Sequence, residues 1–325
     1  MTTAPGSAPT PPRRFDLRRN STLLAVGLMV VLVAVNALLQ SNFFRPGILL
    51  SNLSTFLPLM MIAVGQCYVV LGGSIDLSLG AIVSLVNVIV VVVAETVGGI
   101  PGVAVGMVAG LAAGAACGAV NGALIALFRL QAVVTTFATS IIIGGLALMV
   151  LPQAGGALPA AYYLTYGGAL LGVPFVLIVL GALIGAVVWI AGTRFHTHLL
   201  AIGGNRQGAY QTGLPVARLR VQSHALAGLM AAIGALCILG VTGAGDPLMG
   251  QAFTLGSVSA VVLGGAALAG GWGSAIGAIL GGAILGLINN VIFFANIDYQ
   301  YQSIVQGVII LLALAAGIFV SRKPG

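Results

Sequence analysis

The chain is 325 residues long, with 59% hydrophobic residues and only 5% charged, against roughly 25% charged in an ordinary soluble domain. That balance excludes a water-soluble globule and specifies an integral membrane protein. The net charge of +7 does not point to nucleic acid either, because the basic residues lie between apolar runs rather than on one folded face beside aromatics.

In chain order, residues 1–21 are Pro-rich and basic and read as a disordered cytosolic tail. The apolar run that follows is long enough to remain as a membrane span rather than be cleaved as a signal. Apolar runs of about 17 to 25 residues then fall near 22–39, 49–71, 78–94, 103–127, 132–151, 171–191, 223–241, 253–270, 274–295 and 303–320. The reading is an all-α integral membrane protein of about ten transmembrane helices, with the transmembrane domain over 22–320 and a short tail at 321–325. Cytosolic loops collect positive charge, which tests the count independently. With the N-terminus inside, Arg13, Arg14, Arg18, Arg19, Arg129, Arg194, Arg206, Arg218, Arg220, Arg322 and Lys323 all fall in the cytosol and only Arg45 outside. Missing one span would scramble that split, so both termini are expected in the cytosol.

The second span leads into LGGSIDLSLG at 71–80, where Asp76 is one of five acidic residues in the chain. A carboxylate at the edge of hydrocarbon is a functional candidate by default. It can cap the helix that starts at LSLG, meeting free N–H groups and the positive end of the helix dipole. With Gly72 and Gly73 it can also form a hinge or inner gate, and a proton-coupling role stays open at this point. In the fourth span Gly106, Gly110, Gly114, Gly118 and Gly122 recur every four residues, placing them on one helix face where a neighbouring backbone can approach closely. VVLGG occurs at 69–73 and again at 261–265, a local echo of the kind internal repeats leave.

The longest cytosolic segment is 192–222. Within it Asn205 can start a helix, Gly213 stop it and Pro215 prevent its continuation, predicting a surface helix of two turns at most. The three cysteines, Cys67, Cys117 and Cys237, lie in apolar runs without metal or redox spacing and read as small core residues. His196 and His198 in FHTH have no Cys, Asp or Glu nearby and make a poor metal site, so no metal is expected. Gln66, Asn87, Asn121, Asn289 and Asn290 offer amide donors and acceptors inside spans, suited to lining a path for a neutral polyol or to bonding a neighbouring helix.

What is missing narrows the function. The phosphate-cradling pattern GxxxxGK[ST] does not occur, and the only lysine is Lys323. No charged residue falls in the middle of a predicted span, where secondary carriers usually keep their ion relays.

Three stretches together, GGSIDLSLG at 72–80, AIGGNRQGAYQTGLPVARLR at 201–220 and VVLGGAALAGGWGSAIGAILG at 261–281, resemble the membrane subunits of bacterial ABC importers of the ribose and monosaccharide type. The resemblance covers the chain from residue 22 onward. It implies a permease in the bacterial inner membrane that is not itself an enzyme and needs no cofactor of its own. ATP and magnesium would be handled by two cytosolic ATPase partners, sugar would arrive on a soluble extracytoplasmic binding protein, and a second permease copy would complete the path. It also implies that 205–213 is the element that docks on the ATPase, with Asn205, Arg206, Ala209 and Gly213 setting its contacts and shape. The alternative is a self-sufficient ion-coupled carrier in which Asp76 titrates during transport.

Overall fold

The computed structural model describes residues 21–298, 300–302, 304–308 and 311. Residues 1–20 and 321–325, and most of the expected tenth span at 303–320, lie outside them, while Ser21 already opens the first helix. Twelve helices are bounded within the described residues: α1 (Ser21–Leu39), α2 (Pro46–Leu71), α3 (Leu79–Val97), α4 (Gly99–Leu127), α5 (Ala132–Val150), α6 (Ala160–Gly167), α7 (Phe175–Ala191), α8 (Arg194–Gly204), α9 (Arg206–Gln211), α10 (Val216–Thr242), α11 (Gln251–Leu263) and α12 (Ala275–Phe294). A two-stranded antiparallel hairpin, β1 (Ala169–Leu170) and β2 (Val173–Pro174), is inserted between α6 and α7.

Among the described residues six helices, α2, α3, α4, α5, α10 and α12, are long and apolar enough to cross a bilayer. The pair α7 and α8 makes a seventh candidate bent by 69°. The architecture is therefore helical and multi-pass, and the expected number of ten goes beyond what these lengths give. Two boundaries show why. The predicted span 253–270 stops as a helix at Leu263, about 20 Å long at 1.5 Å per residue, because Gly264 and Gly265 end it. The predicted sixth span loses its first four residues to the hairpin, whose turn holds Leu171 and Gly172 at positive φ. In the other direction, α10 starts at Val216, seven residues before the predicted 223. Its 27 residues reach about 40 Å, so the first two turns project beyond a hydrocarbon layer about 30 Å thick and carry Arg218 there.

The centre of the molecule is α10, packed against α2, α3 and α4. The glycine ladder of α4 explains this closeness. A Cβ on Gly106 would press on the Val90 carbonyl of α3 at 2.7 Å, and one on Gly122 would meet the Val221 Cα of α10 at 2.6 Å. The ladder therefore seats α4 against α3 in its N-terminal half and against α10 in its C-terminal half, the packing role that the spacing predicts.

Pro58 interrupts α2 without breaking it. Proline has no N–H to give to the carbonyl four residues back, which is that of Ser54. Tyr166 on α6 supplies the missing donor, its hydroxyl lying 3.0 Å from the Ser54 oxygen. In lipid such a freed backbone group has to be satisfied by protein, and here the partner comes from 112 residues away. At the same end of the molecule, residues around Gly155 and Gly245 form a backbone bridge with two hydrogen bonds of 2.9 Å.

Candidate functional site

The site is built from the end of α2 upward. Gly72 and Gly73 close α2, with the Gly73 N–H donating to the Val70 carbonyl and the Ser74 N–H to that of Val69. This is the paired pattern of a helix ending in a left-handed glycine, and Gly73 has φ 73°. The other VVLGG ends α11 in the same way: Gly265, at φ 87°, donates to Val262, and Ala266 donates to Val261. The sequence echo is thus a structural one, two helices closed by the same cap.

After the first cap the chain turns through Asp76, which is fully buried. Asp76 Oδ1 accepts from the Ser78 N–H at 2.8 Å and from the Ser78 hydroxyl at 2.6 Å, an Asx-type turn that fixes the start of α3. Three other helices hold the same turn. Gln66 of α2, with its amide oriented to match, accepts from the Asp76 N–H at 3.3 Å and donates to the Asp76 carbonyl at 3.1 Å. Asn121 of α4 donates to Ser78 Oγ at 2.6 Å. Thr136 of α5 accepts from the Leu77 N–H at 3.0 Å. The structure therefore gathers Gln66, Asp76 and Asn121 around one buried turn, together with Ser78 and Thr136. Those last two are not legible in the sequence as site residues, because single hydroxyls carry no spacing signal.

Asn87 is elsewhere, accepting from the Asp246 N–H at 2.7 Å and tying α3 to the loop before α11. Asn289 is exposed and Asn290 half-buried near the end of α12. A further buried amide, Asn36 of α1, donates to the Leu32 and Leu287 carbonyls and joins α1 to α12.

The segment expected to be one loop with a short helix contains two helices. In the second, α9, Asn205 is the N-cap, with Oδ1 accepting from the Gly208 N–H at 2.9 Å. Gly213 has φ 78° and donates to Tyr210, while Leu214 donates to Ala209, so the start and stop fall where the sequence places them. Ala209 is buried and anchors α9 to the protein, whereas Arg206 is exposed. Tyr210, 75% exposed, adds an aromatic on the outer face that the sequence reading did not single out.

The two halves of the site touch through glycines. The Gly271 N–H donates to the Leu71 carbonyl at 3.0 Å. A Cβ on Gly203, in the last turn of α8, would collide with that same carbonyl and with the Gly271 amide, and one on Gly270 would lie 2.6 Å from the Gly73 Cα. Thus the capped end of α2, the loop after α11 and the end of α8 meet backbone to backbone, two residues before α9 begins. The signal was present as three GG pairs, at 72–73, 203–204 and 270–271, but only folding shows that they converge. The arrangement is a close backbone-to-backbone junction beside a buried, capped turn.

Residues 48–314 match the family model described as the branched-chain amino acid transport system / permease component. Among curated relatives, the chain is 33% identical over 291 residues to a ribose import permease protein of Bacillus subtilis (strain 168), covering 88% of this chain and 89% of the relative. It is 32% identical to the ribose import permease protein of Escherichia coli (strain K12), covering 88% and 90%. It is 30% identical to an L-arabinose ABC transporter permease protein of Azospirillum brasilense, covering 89% and 85%.

Proposed function

This chain belongs to the branched-chain amino acid transport system permease-component family, and from that premise we propose that it forms half of the membrane path of an ATP-driven importer for a monosaccharide or related polyol. The observation that carries the substrate class is the likeness, over about nine tenths of both chains, to permeases named for ribose and L-arabinose. ATP and magnesium are handled by partner subunits, a reading supported by the lack of a P-loop motif in the sequence. A soluble binding protein delivers the sugar outside, and a second copy of the chain completes the path. The protein crosses the bacterial inner membrane ten times, with α1, α2, α3, α4, α5, α7, α10, α11, α12 and the segment near 303–320 as spans and both ends in the cytosol. The support for that count is the distribution of arginine and lysine, eleven of twelve on one side.

In this reading α9 is the docking element and the glycine joint passes its movement on. Displacing α9 pulls the end of α8, which bears directly on the caps of α2 and on the loop after α11. The turn at Gly72, Gly73 and Asp76 then opens or closes the inner end of the path. Gln66 and Asn121 brace that turn, Asn87 braces the opposite end, and Asn289, which is exposed, and Asn290, whose Nδ2 has no partner, are the path-lining candidates that take part in neither brace.

The test is purification of the tagged full chain from its native membrane with whatever accompanies it. A P-loop ATPase should co-purify and be released by Arg206→Glu or Gly213→Pro. Recovery of the chain alone, with ion-driven ribose uptake intact in vesicles, would favour the self-sufficient carrier and make Asp76 the residue to titrate.

A further inference from the structure

At the end of the molecule opposite α9 lies a cavity of about 440 Å³ between α4, α6, α7 and α10. The volume is that of a pocket for a small ligand, but its chemistry does not suit a sugar. Its hydroxyls come from Tyr162, Thr165 and Tyr166, and each already donates to a backbone carbonyl, those of Leu236, Ala161 and Ser54, at 2.8, 2.6 and 3.0 Å. The rest of the wall is carbon and the Cys237 thiol, and none of the lining residues is charged. A polyol entering it would lose its water and find its partners taken.

The position of the cavity says what can enter. Its wall runs along α4 from Ile100 to Met107, about 10 Å along the helix axis, and its floor includes Ile233, about two and a half turns below the end of α10. At the α4 end of this wall Ile100 is 69% exposed, and other faces of α4 are bare as well, with Val105 and Val108 more than half exposed. The mouth is overhung by α6 and its hairpin, where Leu164 is 65% and Leu171 96% exposed, beside a cluster of tyrosines of the kind that sits at a membrane boundary. In a multi-pass protein these surfaces face lipid. We infer that the cavity holds one acyl chain of a membrane phospholipid, entering from the leaflet beside α6 with its ester region at the tyrosines and its terminal methyl near Met107 and Ile233. With no charge in the lining, the tail is what the site recognises and the headgroup is not selected.

The test uses the full chain reconstituted in phosphatidylcholine vesicles containing phospholipids with a photoactivatable diazirine at either end of the acyl chain, with labelled residues mapped by mass spectrometry. The near-headgroup probe should mark Ile100 and Tyr162, and the chain-end probe Met107 and Ile233. Filling the cavity with Ile233→Trp should lower chain-end labelling of Met107 about tenfold, the effect of excluding some two methylenes from burial, and leave labelling of the α5 surface unchanged. Replacing phosphatidylcholine by phosphatidylglycerol should change neither pattern. Two results overturn the inference. One is labelling of the unmodified chain that ignores probe depth, which would mean bulk lipid passing over a closed surface. The other is a disulfide between two copies formed by Ile100→Cys, with lipid labelling absent, which would mean that protein covers the mouth. The depth pattern is read on the unmodified chain and so does not depend on the filled variant folding.

Discussion

Tyr166 and Pro58 form a matched pair in which one residue repairs what the other removes, and this makes their energetics separable. Tyr166→Phe should lower stability by roughly 0.6 kcal/mol, the average for a hydrogen bond within a membrane protein, measured as the unfolding midpoint in detergent. In a Pro58→Ala background the helix provides its own donor to Ser54, and the same substitution should cost close to nothing, an outcome read from a double-mutant cycle. At Asp76 the distinction is between shape and charge. Asparagine can make the same turn with Ser78, so Asp76→Asn should keep part of the proposed sugar uptake, whereas Asp76→Ala frees the Ser78 N–H and should cost about 1 kcal/mol along with most uptake. Equal loss in both variants would point to the charge itself. Asn205 and Gly213 could be placed from sequence because a cap depends on neighbours three or four residues away. The convergence of Gln66, Asn121 and Thr136 on one turn could not, since nothing local records which helix stands beside which.

The helices differ in what holds them. Along α4 the ladder places backbone against backbone, so Gly118→Leu should drive α4 from α10, where its Cβ would strike the His224 carbonyl, and abolish the folded yield judged by gel filtration. Gly144→Leu on α5 is the control, because a Cβ there meets nothing within 4 Å, and it should leave the yield unchanged. For α9, Gly213→Ala strains a left-handed position by about 1 kcal/mol, while Tyr210→Ala, far out in solvent, should leave the unfolding midpoint in place and reduce ATPase co-purification several-fold. Periodicity alone exposed the ladder, because four-residue spacing maps directly onto one helix face. It failed at 264–270, where an apolar and glycine-rich stretch satisfies a hydropathy window equally well as helix or as a chain of turns, and at α8, which hides among the polar residues of a connector.

Across the whole molecule the distribution of charge gives an orientation that can be checked directly. Single cysteines placed in a chain lacking Cys67, Cys117 and Cys237 should react with an impermeant maleimide from outside at Gly98 and Gln153, and from the cytosol alone at Gln207 and Gln211; reversed sidedness would overturn the topology. Twelve basic residues propose a direction for the chain, but the lengths of its crossings could not be read in the same way, because several helices here end where glycines cap them rather than where hydrophobicity runs out. The 48 glycines bear on motion in an unexpected way. In water glycine loosens a chain, yet at the joint of Gly73, Gly203 and Gly270 it removes the very side chains whose rotations could absorb a push. Such a joint has little give. A displacement entering at α9 would cross it almost undamped, as through a rod rather than a spring, and adding a single methyl group there would change how much of the stroke arrives.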